Sequence, residues 1–159
     1  MKVDIPYFKY SYLEGPHLEQ KTLDEKIEIG NCRLALQIYF YKIHNKFYQR
    51  DEIYLPGGYK VLGNFIFKEE EIDFENLKEG DIIFAQNLIG KNGNILKKSR
   101  SDLKDYDEWL YHLHSAIYLG KKDGKHYIWH ATSVEGGTAI WELDKFNYHY
   151  LPVSVKRVI

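Results

Sequence analysis

The chain has 159 residues, 44% of them apolar, with 22 basic against 23 acidic side chains and a formal net charge of −1. That length is enough for one domain with its own core, and the charge balance gives no support for a nucleic-acid or polyanion surface. The single cysteine excludes an internal disulfide framework and fits a reducing compartment.

No secretory pattern opens the chain and no apolar run is long enough for a bilayer. The expectation is a soluble cytoplasmic protein without a membrane or nucleic-acid partner. Residues 1–26 read as an irregular arm, punctuated by Ile5-Pro6 and Gly15-Pro16, with a helical turn near Thr22-Leu23-Asp24-Glu25.

The most informative stretch runs from Gly30 to Asn45. Leu34, Leu36, Ile38, Tyr39, Phe40, Tyr41 and Ile43 leave little polar surface, so this is a buried helix. Asn31 suits the N-cap, where its side-chain oxygen accepts from the first free N–H groups, and Asn45 suits the C-terminal end. Cys32 then lies in the first turn, where the partial positive charge of the helix start favours a thiolate, the nucleophilic form of the side chain. A lone cysteine in apolar surroundings is more often an inert small hydrophobe, so the rest of the chain must argue for more.

Beyond the helix, Leu55-Pro56-Gly57-Gly58 signals a turn and Tyr59 to Phe67 alternates as a strand. Lys68 to Glu71 is a solvated charged run, and Phe74 to Leu77 a single helical turn. Gly80-Asp81 delivers the chain into a short apolar strand, Ile82 to Ala85. Residues 87–107 form a long polar surface loop. Strands follow at Trp109–Gly120, His126–Thr132, Thr138–Leu143 and Pro152–Ile159. A helix followed by consecutive antiparallel strands reads as an α+β fold, one domain over 1–159 with no internal boundary.

Two of these strands carry the residues of interest, His114 and His130. Alternate side chains of a strand share a face, so His112, His114, Ala116 and Tyr118 point one way. The hairpin turn decides whether His130 joins them. A two-residue turn at Asp123-Gly124 pairs Lys122 with Lys125 and puts His130 on the other face. A three-residue loop, Lys122-Asp123-Gly124, pairs Ala116 with His130 and makes His130 a diagonal neighbour of His114, with Cα atoms about 7–8 Å apart. The odd-length loop is expected. His114 then accepts the thiol proton and returns it to the leaving amine, His130 orients His114, and the Cys32 backbone N–H helps bind the oxyanion. His112 is a packing residue or spare candidate; His17, His44, His126 and His149 are expected at the surface.

The order of these segments resembles the NlpC-type cysteine peptidases, a bacterial branch of the papain-like fold. It comprises a Cys opening a buried helix, Leu77-x-x-Gly80-Asp81-Ile82-Ile83-Phe84, His114-Ser115-Ala116-Ile117-Tyr118-Leu119-Gly120, Ile128-Trp129-His130-Ala131, and Gly136-Gly137 before an apolar strand. The likeness spans roughly residues 27–145. It implies a nucleophile helix packed on a central antiparallel sheet and hydrolysis of amide bonds, typically in cell-wall peptides and often at a D-glutamyl–diamino acid link; no cofactor or metal is expected. Carried over by motif, the nucleophile falls on Cys32, the base on His114 and the orienting residue on His130. Arg33, Tyr12 and Tyr118 are weaker candidates for contact with a small peptide or amide substrate.

The chain departs from the pattern. Asn31-Cys32-Arg33-Leu34 stands where the family has Asp-Cys-Ser-Gly, the usual Tyr before the Cys has only Tyr10 or Tyr12 as loose substitutes, and the hairpin between the histidines is longer by an even number of residues. Three rival readings remain: a zinc site built from His112, His114 and His130, a non-catalytic binding domain on the same scaffold, and an acyltransferase using the same acyl-enzyme.

Overall fold

A computed structural model describes residues 1–11, 19–48, 59–64, 73–87 and 113–158. The fold is α+β. Eight strands, β1 (Lys9–Tyr10), β2 (Ile29–Gly30), β3 (Tyr59–Asn64), β4 (Ile82–Asn87), β5 (His114–Lys122), β6 (Lys125–Thr132), β7 (Gly137–Glu142) and β8 (Tyr150–Val158), form one sheet in the order β2-β1-β7-β6-β5-β4-β8-β3. All neighbours are antiparallel except the short β1–β2 pair. Three α-helices, α1 (Gln20–Leu23), α2 (Cys32–His44) and α3 (Leu143–His149), and a single 3-10 turn at Phe74–Asn76, where a helical turn was expected, complete the described elements. Among the described residues no helix is long and apolar enough to cross a membrane.

Helix α2 forms as its sequence dictates. The Asn31 side chain accepts from the N–H groups of Arg33 and Leu34, and Asn45 ends the helix in the left-handed conformation. Leu34 through Phe40 are all buried. With Ile82, Phe84, Ile117, Trp129 and Ala131 they make the larger core on one face of the sheet. A second cluster covers the opposite face, where Phe146 and Tyr150 pack on Ile83, Ala85, Ala116, Ile128 and Trp141. Strand β4 is therefore covered on both sides, which is why Ile82-Ile83-Phe84-Ala85 is a continuous apolar run with no alternation. Each fully buried side chain of this size contributes roughly 1.5–3 kcal/mol.

The turn before β4 is locked by charge. Gly80 sits at φ +94°, a conformation that side chains disfavour. Buried Asp81 accepts from the Lys78 N–H at 2.7 Å and takes a two-pronged ion pair from Arg157 Nε and Nη2 at 2.8 and 2.7 Å. The Gly-Asp signal thus ties β4 to the last described strand.

The sequence expectations need four corrections here. The N-terminal arm is not merely irregular: it supplies β1 and buries Phe8 and Leu23 in the core. Gly137 permits the approach of β1, because a Cβ there would meet the Tyr7 ring and the Phe8 carbonyl. Strand β8 lies between β4 and β3, so the sheet extends well past residue 145. Helix α3 had no signal, since Glu142 precedes it without a side-chain cap and it has 7 residues. The hairpin turn is the two-residue one, pairing Lys122 with Lys125, and an irregularity between Tyr118 and Gly120 restores the parity that the three-residue loop was expected to supply. Tyr118 then faces Ile128 and Ile117 faces Trp129. The expected turn was wrong, but the face it assigned to His130 was right, because a bulge adds one residue to one strand. The predicted features at residues 55–58, 65–71 and 88–112 lie outside the described residues.

Candidate functional site

Helix α2 lies on one face of the sheet and both imidazoles lie on the other, so the candidate site can assemble only at the end of the sheet where β5 begins. His114 is the first residue of β5. Its neighbour Ser115 points the opposite way and donates from Oγ to the Cys32 carbonyl at 3.0 Å. This bond fixes the start of α2 beside His114. Cys32 is half-buried, and a charge on it is felt by Tyr150. Its sulfur makes no hydrogen bond to either ring among the described residues.

His114 Nε2 and His130 Nδ1 share a hydrogen bond of 2.7 Å, with ring centroids 5.0 Å apart and planes at 75°. No family model matches this chain, and no curated protein or solved structure is significantly similar to it. The site must therefore be read from its own chemistry. His114 Nδ1 has no hydrogen-bond partner among the described residues, and His130 Nε2 is buried without one, beside the Trp141 ring.

Aromatic walls set the electrostatics. Tyr150 stacks on His114 with centroids 4.1 Å apart and planes at 10°, and Phe146 flanks both imidazoles. Burial pushes His114 down to about 3. Burial also holds His130 well below its usual value, helped by the nearby His114, His149 and Lys145. Both rings are therefore neutral at physiological pH. Tyr150 is pushed up to about 12, mainly by burial, and its hydroxyl shares a 2.7 Å hydrogen bond with Thr132 Oγ1.

The helix start is also arranged. Asn31 takes the N–H groups of Arg33 and Leu34 with its side chain and that of Ala35 with its carbonyl. The Cys32 N–H is left without a partner among the described residues, as an oxyanion donor must be in the free protein.

The weaker candidates fare differently. Arg33 is half-buried next to Cys32. Tyr118, expected at the substrate, is buried, and its hydroxyl bonds His126 Nδ1 at 2.6 Å. His126 is correspondingly not a free surface residue: its Nε2 also lies 3.3 Å from Glu75. Tyr12, His17 and His112 lie outside the described residues, and among those described no three side chains form a metal-holding group. Sequence reasoning missed Ser115, Thr132, Phe146 and Tyr150. For Tyr150, no local signal existed, because its role depends on β8 returning beside β4.

Proposed function

We propose that the protein is a thiol-dependent hydrolase of amide bonds, working through an acyl-enzyme on a papain-like arrangement of the NlpC type. The observation that carries this reading is the His114–His130 hydrogen bond at the start of β5, next to the residue that holds the Cys32 carbonyl. In the tautomer with the His114 proton on Nε2, His130 Nδ1 accepts it and His114 Nδ1 is left as a base. That nitrogen takes the Cys32 proton and the sulfur attacks the substrate carbonyl. The Cys32 N–H then holds the developing oxyanion. As the intermediate collapses, His114 Nδ1–H protonates the leaving amine. Water then attacks the thioester, giving up its proton to His114 and releasing the acid and the thiol.

A sulfur not yet bonded to its base in the free protein is ordinary, since catalytic hydrogen bonds tighten on substrate binding. The proposed substrate is a small peptide of the cell-wall type, with the D-glutamyl–diamino acid link as the first to test. The test is turnover of such peptides by wild type, Cys32→Ala and His114→Ala. Both variants should fold and lose turnover, and wild-type-like turnover in Cys32→Ala would refute the mechanism. His130→Ala should lose less, because an orienting residue does not transfer the proton.

A further inference from the structure

We propose that Tyr150 is a positioning residue whose ring face stabilises the imidazolium that His114 becomes when it takes the Cys32 proton. This rests on the reading above and deepens it. A Cys-His-His set lacks the carboxylate that usually offsets the imidazolium charge. His130 is neutral, and the other groups that bear on it electrostatically, His149 and Lys145 from α3, oppose added positive charge. No carboxylate hydrogen-bonds or ion-pairs with either ring among the described residues. Among the described residues, the other rings against His114 are Phe146, tilted at 36°, and Tyr150, parallel to the imidazole at 4.1 Å. A cation at that distance over a phenol face is attracted by the ring quadrupole, most strongly where water is excluded.

Tyr150 is built to hold this position. Its hydroxyl is tied to Thr132, which follows His130 by two residues on β6, and Phe146 stacks against its ring at 5.0 Å. One phenol is thus braced against both histidine strands. As the thiol proton moves from Sγ to His114 Nδ1, a thiolate and an imidazolium appear together. The stack then favours the charged pair over the neutral one, and the proton leaves again with the amine.

The test is the pH dependence of Cys32 alkylation by iodoacetamide, which is specific because the chain has one cysteine. Tyr150→Leu should raise the alkylation midpoint by about one pH unit and slow the reaction at pH 7 about tenfold. Tyr150→Phe, which keeps the face and loses the hydroxyl, should stay within about twofold of wild type. Incorporating 3,4,5-trifluorophenylalanine at position 150 preserves the ring's shape and weakens its face. Its midpoint should move toward that of Tyr150→Leu, a shift that a packing role alone does not produce. If the leucine variant does not fold, the comparison of phenylalanine with its fluorinated analogue decides. Identical profiles for those two rings, or a Tyr150→Phe defect as large as Tyr150→Leu, overturns the assignment. His114→Ala separates the two failures: a profile unchanged by that substitution shows that Cys32 and His114 are not coupled, and both readings fall.

Discussion

Acidification should destabilise this protein well above the pH at which its carboxylates titrate. His114 and His130 are held neutral in the fold, His114 down to about 3, against an ordinary value of 6.5 in the unfolded chain. Below pH 6.5 the unfolded chain binds protons that the folded chain refuses. Stability therefore rises with pH across this window and falls as the pH drops from 6.5 toward 3. At pH 5.5, one unit below the unfolded value, each refused proton costs about 1.4 kcal/mol relative to neutral pH. The two imidazoles together cost at most about 2–3 kcal/mol, because the partial exposure of His114 weakens its resistance to the proton. For a chain of this length that lowers Tm by about 5–10 °C. The assay is thermal unfolding followed by circular dichroism at pH 7.5 and 5.5, for wild type and His130→Asn. The variant removes one refusing group, so its drop should be roughly half that of wild type. A wild-type Tm that is flat between the two pH values, or an equal drop in the variant, would show that the rings are not shielded from water.

Three further outcomes follow from particular bonds. Asp81→Ala strands the Arg157 guanidinium and the Lys78 N–H. It should cost about 2–3 kcal/mol by urea denaturation, less than a fully buried pair because Arg157 keeps some contact with water. Asn31→Ala removes the acceptor for two helix N–H groups and should cost about 1 kcal/mol; restoration by Asn31→Asp would assign that loss to the cap. Ser115→Ala breaks the tie to the Cys32 carbonyl. It should cost about 1 kcal/mol and slow Cys32 alkylation, while leaving the slope of stability against pH unchanged, because the imidazoles stay buried.

What could be read from the chain without coordinates was what rests on neighbouring residues. An N-cap bond joins Asn31 to the third residue beyond it, and apolar residues through the next turns bury the helix wherever it docks. Gly80-Asp81 announces its turn because a positive φ excludes most side chains there. The parity of β5 and β6 was legible in its result but not in its means: the turn chemistry of Asp123-Gly124 is local, whereas the bulge near Leu119 is set by how the strands twist and pack. The pieces that wall the two histidines lie beyond local rules. Tyr150 follows His114 by more than thirty positions and reaches it only because β8 returns beside β4. The same return lets Arg157 close on Asp81. Local pattern determined helix α2, the strands from β4 to β7 and which of their side chains share a face, but not β1 or α3. Tertiary packing alone decided which aromatic rings surround the two histidines, and so how hard those rings resist a proton, because desolvation depends on everything nearby regardless of its place in the sequence.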